Sequence, residues 1–110
     1  MIKKTLEEVK TKIEKADSLK NDSKKELLGL VSILQSEVDQ LSQKDSDQGQ
    51  SVVSFTQAAT HEATRKERNP RLFKLSLDGL AASVEGFENS HPRLVEVINS
   101  ICNSLSSLGI

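Results

Sequence analysis

From Phe73 onward, large apolar side chains recur at a spacing that only a helix turns into a single face. Phe73, Leu77, Leu80, Val84 and Phe87 are separated by four, three, four and three residues, and Leu94, Ile98, Ile101, Leu105 and Leu108 repeat that interval. A half-buried strand alternates with period two, whereas a repeat averaging 3.5 residues lines up one narrow stripe that helices bury against one another. The chain is therefore expected to be all-α, with antiparallel helical hairpins closing heptad-like seams into a bundle. The stripe carries no reactive group. It constrains how the chain is built and leaves what it does open.

His91 keeps the register between the two runs, yet Ser90-His91-Pro92-Arg93 interrupts them. Proline lacks an N–H donor and pushes the preceding residue out of the α region, so His91 reads as an N-cap and Pro92 as the first residue of a new helix. Val95, Val97 and Cys102 widen the face of that last helix, and Gly109 reads as its stop. Asn69-Pro70 repeats the device, which places the preceding helix from Pro70 to near Asn89. Its side away from the seam holds Leu75, Gly79, Ala82 and Gly86. Two glycines inside a helix cost about 1 kcal/mol each relative to alanine. Either a second helix approaches them closely, or they decorate an exposed back face.

In the N-terminal part, Ile2, Leu6, Val9, Ile13 and Ala16 form a strict stripe among charged residues. Lys4 with Glu8, Glu8 with Lys12 and Lys10 with Glu14 stand at i,i+4 spacing, and these charges read as a solvated face. Asp17 to Asp22 reads as a turn, with Asn21, Asp22 or Ser23 as the cap of a helix reaching Gln43 and Glu26 placed to complete a capping box with Ser23. Leu27, Val31, Leu34, Val38 and Leu41 form its seam, and Leu28, Leu30 and Ile33 broaden it. Residues 2–43 are thus expected to be an αα-hairpin. The stretch from Ser42 to Ser51 contains no apolar residue, which predicts a flexible linker over 44–50. Residues 51–110 then hold three helices with breaks at Asn69-Pro70 and His91-Pro92. The first has only a weak stripe, Val52, Phe55, Ala59 and Ala63, ending near Arg68, and its mostly methyl-sized face reads as either packed closely against a neighbour or poorly held.

A chain of 110 residues suits one domain, here 1–110. The formal charge of −1 provides no global field toward nucleic acid or membrane, and three Phe with no Trp or Tyr leave few platforms for stacking bases. Nucleic acid is therefore an improbable partner. No stretch approaches the roughly 20 apolar residues of a membrane span, and Met1 to Glu8 lacks the apolar core of a signal peptide. One cysteine cannot form an internal disulfide, so a cytoplasmic protein is expected.

Asn69-Pro70-Arg71-Leu72, the run Leu75 to Glu88, His91-Pro92-Arg93-Leu94 and the closing Leu105 to Ile110, together with Lys3-Lys4-Thr5-Leu6-Glu7-Glu8, resemble a family of short bacterial proteins known only as a domain of unknown function. The resemblance implies a bacterial, cytoplasmic, all-helical protein and brings no activity, cofactor or catalytic residue.

Candidate chemistry is sparse. His61-Glu62-Ala63-Thr64-Arg65 begins like the helical zinc signature with two histidines one turn apart, but Arg65 stands where the second ligand belongs and a cation there repels metal. His61, His91 and Cys102 are too scattered for a metal set, so no cofactor and no catalytic residue are expected. His91 reads either as a structural corner or as a small anion or pH-sensing site with Arg93. The best binding signal is the cluster His61, Arg65, Arg68, Arg71 and Lys74, folded around the helix corner Asn69-Pro70. Anion, nucleic acid or an acidic partner could dock there through backbone-type contacts alone. The leading expectation is a non-catalytic interaction or structural module that forms a homo-oligomer, with a dimer favoured, or packs against a protein partner. Leu27, Val31, Leu34, Leu80, Val84, Leu94, Ile98, Ile101 and Leu105 are its expected packing core.

Overall fold

The seams fold back on one another within a single chain. A computed structural model describes residues 2–108, and among them are five helices and no strand: α1 (Ile2–Lys15), α2 (Asn21–Lys44), α3 (Ser46–Thr64), α4 (Pro70–Ala82) and α5 (Pro92–Ser106). Gly109, expected to stop the last helix, lies outside the described residues. The nine seam residues from Leu27 to Leu105 named above are all buried, in one interior shared with Leu6, Val9 and Ile13 of α1. Each Leu or Ile so enclosed contributes roughly 1.5–3 kcal/mol relative to exposure.

The helices alternate in direction. Lys24 Nζ of α2 donates to Glu14 O near the end of α1 at 2.9 Å, so those two run antiparallel. Ser104 Oγ donates to the Glu26 carboxylate, and Arg93 Nε lies 4.0 Å from Glu37, which sets α5 antiparallel to α2 with a fixed register. Gln48 Nε2 donates to Ser83 O at 2.6 Å and pins α3 antiparallel to α4. α3 touches all four other helices. It is the hub of the bundle, with α1 on one side, α4 and α5 on the other, and α2 alongside.

That position explains the small side chains of α3. Val52, Val53, Thr56, Ala59, Thr60 and Ala63 are all buried, gathered on about a third of the helix circumference, and contact with four other helices leaves room only for short groups on that face. Thr56 satisfies its buried hydroxyl by donating to Val52 O at 2.8 Å. The weak apolar stripe is therefore the mark of a crowded helix.

Three expectations are corrected. The linker over 44–50 is not a linker, because Asp45 alone separates α2 from α3. Its N–H donates to Leu41 O at 2.8 Å while its carboxylate accepts from Gln48 N at 3.0 Å, so one residue closes one helix and caps the next. The polar composition reflects exposure at that corner. Gly49 inside it is buried, and an added Cβ would stand 2.1 Å from Ser42 Oγ, so glycine lets α2 and α3 converge immediately after the corner.

Second, α4 ends at Ala82, well short of Asn89. Ser83 turns its hydroxyl back onto Leu80 O at 2.6 Å, and Gly86 adopts φ +88°, which L side chains rarely reach. Val84 is still buried and Phe87 half-buried, so the seam spacing outlasts the helix. The two glycines divide accordingly: Gly86 serves this turn, while Gly79 receives the Phe55 ring of α3, whose Cε1 would lie 2.3 Å from an added Cβ.

Third, α2 begins at Asn21 after Lys20 in extended conformation, with no side-chain cap, and the Ser23–Glu26 box does not form. Glu26 is engaged by Ser104 of α5 instead. The proline caps do form. Asn69 Oδ1 accepts from the N–H groups of Arg71 and Leu72 at 3.1 Å each, and His91 occupies the N-cap before Pro92 without a side-chain bond.

Candidate functional site

The basic cluster does not stay together. Arg68 is half-buried and serves the fold: Nη2 donates to Ala63 O at 2.9 Å, Nη1 to Leu108 O at 3.1 Å, and its guanidinium carbon lies 5.8 Å from the Phe73 ring centroid. Those carbonyls belong to the last turn of α3 and to the residues just beyond α5, where intrahelical partners run out. Arg68 thereby fastens the ends of two helices to the corner that precedes α4. Arg68→Met keeps the apolar stem and leaves both carbonyls without the cation, so a loss of about 1.5–3 kcal/mol is expected in chemical denaturation. An unchanged midpoint would refute that role.

Lys74 pairs with Asp78 at 2.9 Å on the exposed side of α4, a contact of small energetic weight, and Arg71 lies exposed at the same helix start. Arg65 Nη1 meets Glu62 Oε1 at 3.0 Å. The zinc-like run is thus an i,i+3 ion pair in which the arginine faces its glutamate. Among the described residues no group of three or more His, Cys, Asp or Glu side chains is placed to hold a metal ion.

His91 makes an edge contact with Phe87, ring centroids 5.9 Å apart, and its Nδ1 lies 3.0 Å from Ser90 Oγ. Arg93 turns away from it toward Glu37 of α2 rather than toward Glu85 or Glu88. Glu88 instead accepts from Gly86 N at 2.9 Å. His91 and Arg93 are therefore not brought together. Cys102 is half-buried, with Sγ 4.0 Å from Leu77 O. Burial first, and the nearby Asp78 carboxylate second, raise its pKa and keep it in the thiol form.

His61 and Arg65 leave the corner and join α1. Lys12 Nζ lies 3.1 Å from His61 Nδ1 across the α1–α3 boundary, an arrangement in which the ammonium donates and the imidazole accepts. The two side chains help line a groove of about 780 Å³ between the helices. Lys4, Lys12 and Lys15 of α1 contribute cations, Glu7 and Glu8 carboxylates, and Thr60 and Thr64 of α3 hydroxyls, above Val9 and Ala16. α1 and α3 each run antiparallel to α2 and hence parallel to each other. Lys12, Lys15, His61 and Arg65 accordingly converge at the shared C-terminal end, and Glu7 and Glu8 lie further back.

Lys12 and Lys15 were legible in the sequence only as part of a solvated face. Their partners stand some fifty residues away, and no local spacing reports such a pairing.

A protein-family model described as Domain of unknown function (DUF4404) matches residues 2–110. No curated protein and no solved structure matches the chain.

Proposed function

We propose that this chain, which belongs to the family described as Domain of unknown function (DUF4404), is a non-catalytic helical interaction module acting through the outer face of α3 and α4. One observation carries the reading. With the seam residues spent inside the chain, Phe55, Leu72 and Leu75 remain 40%, 43% and 57% exposed. Leu72, Leu75 and Gly79 follow the i, i+3, i+7 spacing of one helical face, and Phe55 lies on Gly79, so the three side chains form one surface. Large apolar side chains gathered on one face mark docking sites more often than scattered ones do.

Self-association is the first mode to test. A twofold contact lets the same patch serve both partners. Three side chains are few against the roughly 800 Å² that each partner buries in a stable complex, so association is expected to be reversible and concentration dependent. The lone Cys102, with no disulfide partner in the chain, suits a reducing compartment and supports a cytoplasmic role.

Light-scattering mass against concentration tests the proposal. A rising mass in the wild type, abolished in Leu72→Asp/Leu75→Asp with the melting temperature shifted by no more than a few degrees, is the expected result, because exposed substitutions change stability by only about 0.5 kcal/mol each. A wild type that stays monomeric at high concentration sinks self-association and leaves a partner helix as the occupant to seek.

A further inference from the structure

We infer that the C-terminal end of the α1–α3 groove is a binding site for a phosphate-bearing small molecule, held by Lys12, Lys15 and Arg65 with His61 beside them. Two independent observations support this. The first is the groove itself: about 780 Å³ lies within the range of small-molecule sites, and the cations come from two separate helices that converge on one place.

The second is a charge separation that the net value conceals. The alternating helix directions gather residues 11–26 and 61–74 at one end of the molecule, together with the uncharged end of α5. Those two stretches hold ten of the fifteen Lys and Arg but only six of the sixteen Asp and Glu, so they carry an excess of four positive charges and the rest of the chain an excess of five negative ones. A chain of formal charge −1 thereby presents a positive pole along a body 37 Å long. Such a field draws anions to the pole, and the cationic end of the groove opens there.

The lining decides how a ligand lies. A phosphate accepts charge-assisted hydrogen bonds from the lysine ammonium groups and the Arg65 guanidinium, while the Thr64 hydroxyl alongside is spent on Thr60 O at 2.7 Å. Glu7 and Glu8 outweigh Lys4 at the other end, so the phosphate is directed toward Lys15 and Arg65 while the uncharged body lies back over Val9. Arg68 is absent from the lining, being occupied with Ala63 and Leu108. This differs from docking at the corner: Arg71 and Lys74, on α4, take no part.

Inorganic pyrophosphate is the probe, titrated by calorimetry and by amide chemical shifts at low and at physiological ionic strength. Saturable one-to-one binding is expected, with shifts centred on Lys12 to Ala16 and His61 to Arg65. Lys12→Gln/Lys15→Gln/Arg65→Gln should weaken it about tenfold or more through loss of three charged contacts. Lys20→Gln/Lys25→Gln/Lys66→Gln removes the same charge from the same pole outside the groove and should weaken it by no more than about threefold, the share due to the general field. Equal weakening by the two triple variants, shifts centred on Arg71 and Lys74, or absence of saturation overturns the site.

A second readout needs no variant. In the wild type, pyrophosphate should shield Lys12 and Lys15 from an amine-acylating reagent while Lys20 and Lys25 stay reactive, and uniform labelling refutes the proposal. Octyl phosphate displacing pyrophosphate more tightly than inorganic phosphate does indicates a ligand whose body uses the groove floor; equal displacement indicates a bare phosphate group, and both agree with the assignment. A glutamate-rich peptide that shields the same lysines more effectively than pyrophosphate makes the groove a protein-docking surface and overturns it.

Discussion

Ile98→Asp is expected to abolish cooperative unfolding, leaving a chain with a broad thermal profile and collapsed amide dispersion. Ile98 is fully buried in α5, the helix held on α2 by Ser104 with Glu26 and by Arg93 near Glu37. The substitution removes roughly 1.5–3 kcal/mol of apolar burial and places a carboxyl group where no donor awaits it, at a further penalty of several kcal/mol. A domain of this size is stable by about 5–15 kcal/mol, so the loss consumes most or all of that margin. Ile98→Val is the control, expected to cost about 0.5–1.5 kcal/mol with the transition intact. An aspartate variant that melts as sharply as the wild type within a few degrees would show that α5 does not sit in the core.

Ala59→Leu should have the next largest effect, although leucine is the better seam residue and both rank high in helix propensity. Ala59 is fully buried in α3, and α3 packs against all four other helices. Three added carbons have no space there, and overpacking of a filled interior costs typically 1–3 kcal/mol. At about 4–8 °C per kcal/mol for a domain near this size, a fall in Tm of roughly 5–20 °C is expected by calorimetry. Ala58→Leu, one residue away and exposed, should stay within about 0.5 kcal/mol of the wild type. If Ala59→Leu stabilised the protein, α3 would be a loosely held outer helix rather than the hub.

That contrast shows what could be read from the residues. Seam spacing identified the helices and the buried faces of α2 and α5, because burial of one stripe is a property of the local repeat. The caps at Asn69 and His91 were equally legible, since proline acts on its immediate neighbours. What escaped was whatever depends on the number of neighbours. A sparse apolar stripe has the same pattern in a helix packed against four others as in one poorly held, so the residues alone leave both open for α3. The polar run at the α2–α3 corner reads as a linker until the Asp45 carboxylate is seen capping Gln48 N. The end of α4 at Ala82 was hidden because Val84 and Phe87 keep the helical beat through a turn that Gly86 makes possible.

The candidate site was legible in part. His61 and Arg65 stood out as cations with a histidine on one helical face, and they do line the groove. Arg68 appeared to belong with them, yet its two carbonyl partners lie five and forty residues away and turn it inward. Lys12 and Lys15 were masked by their charged surroundings on α1. Charge in a sequence reports solvation, whereas a site requires convergence, and that is decided by which helices pack in parallel.

Five helices of alternating direction have one further result for anyone handling the molecule. An odd number of passes puts Leu108 beside Arg68 at the end where α1 finishes, and Ile2 one helix length of about 20 Å away from that end. A reporter or surface tether placed ahead of α1 stands off from the cationic groove end, whereas one placed after α5 crowds it. A circular permutant joining Leu108 back to Ile2 has to run the length of α1, about 20 Å, which requires at least about six extended residues. Short loop closures of the kind that serve even-numbered bundles will not reach.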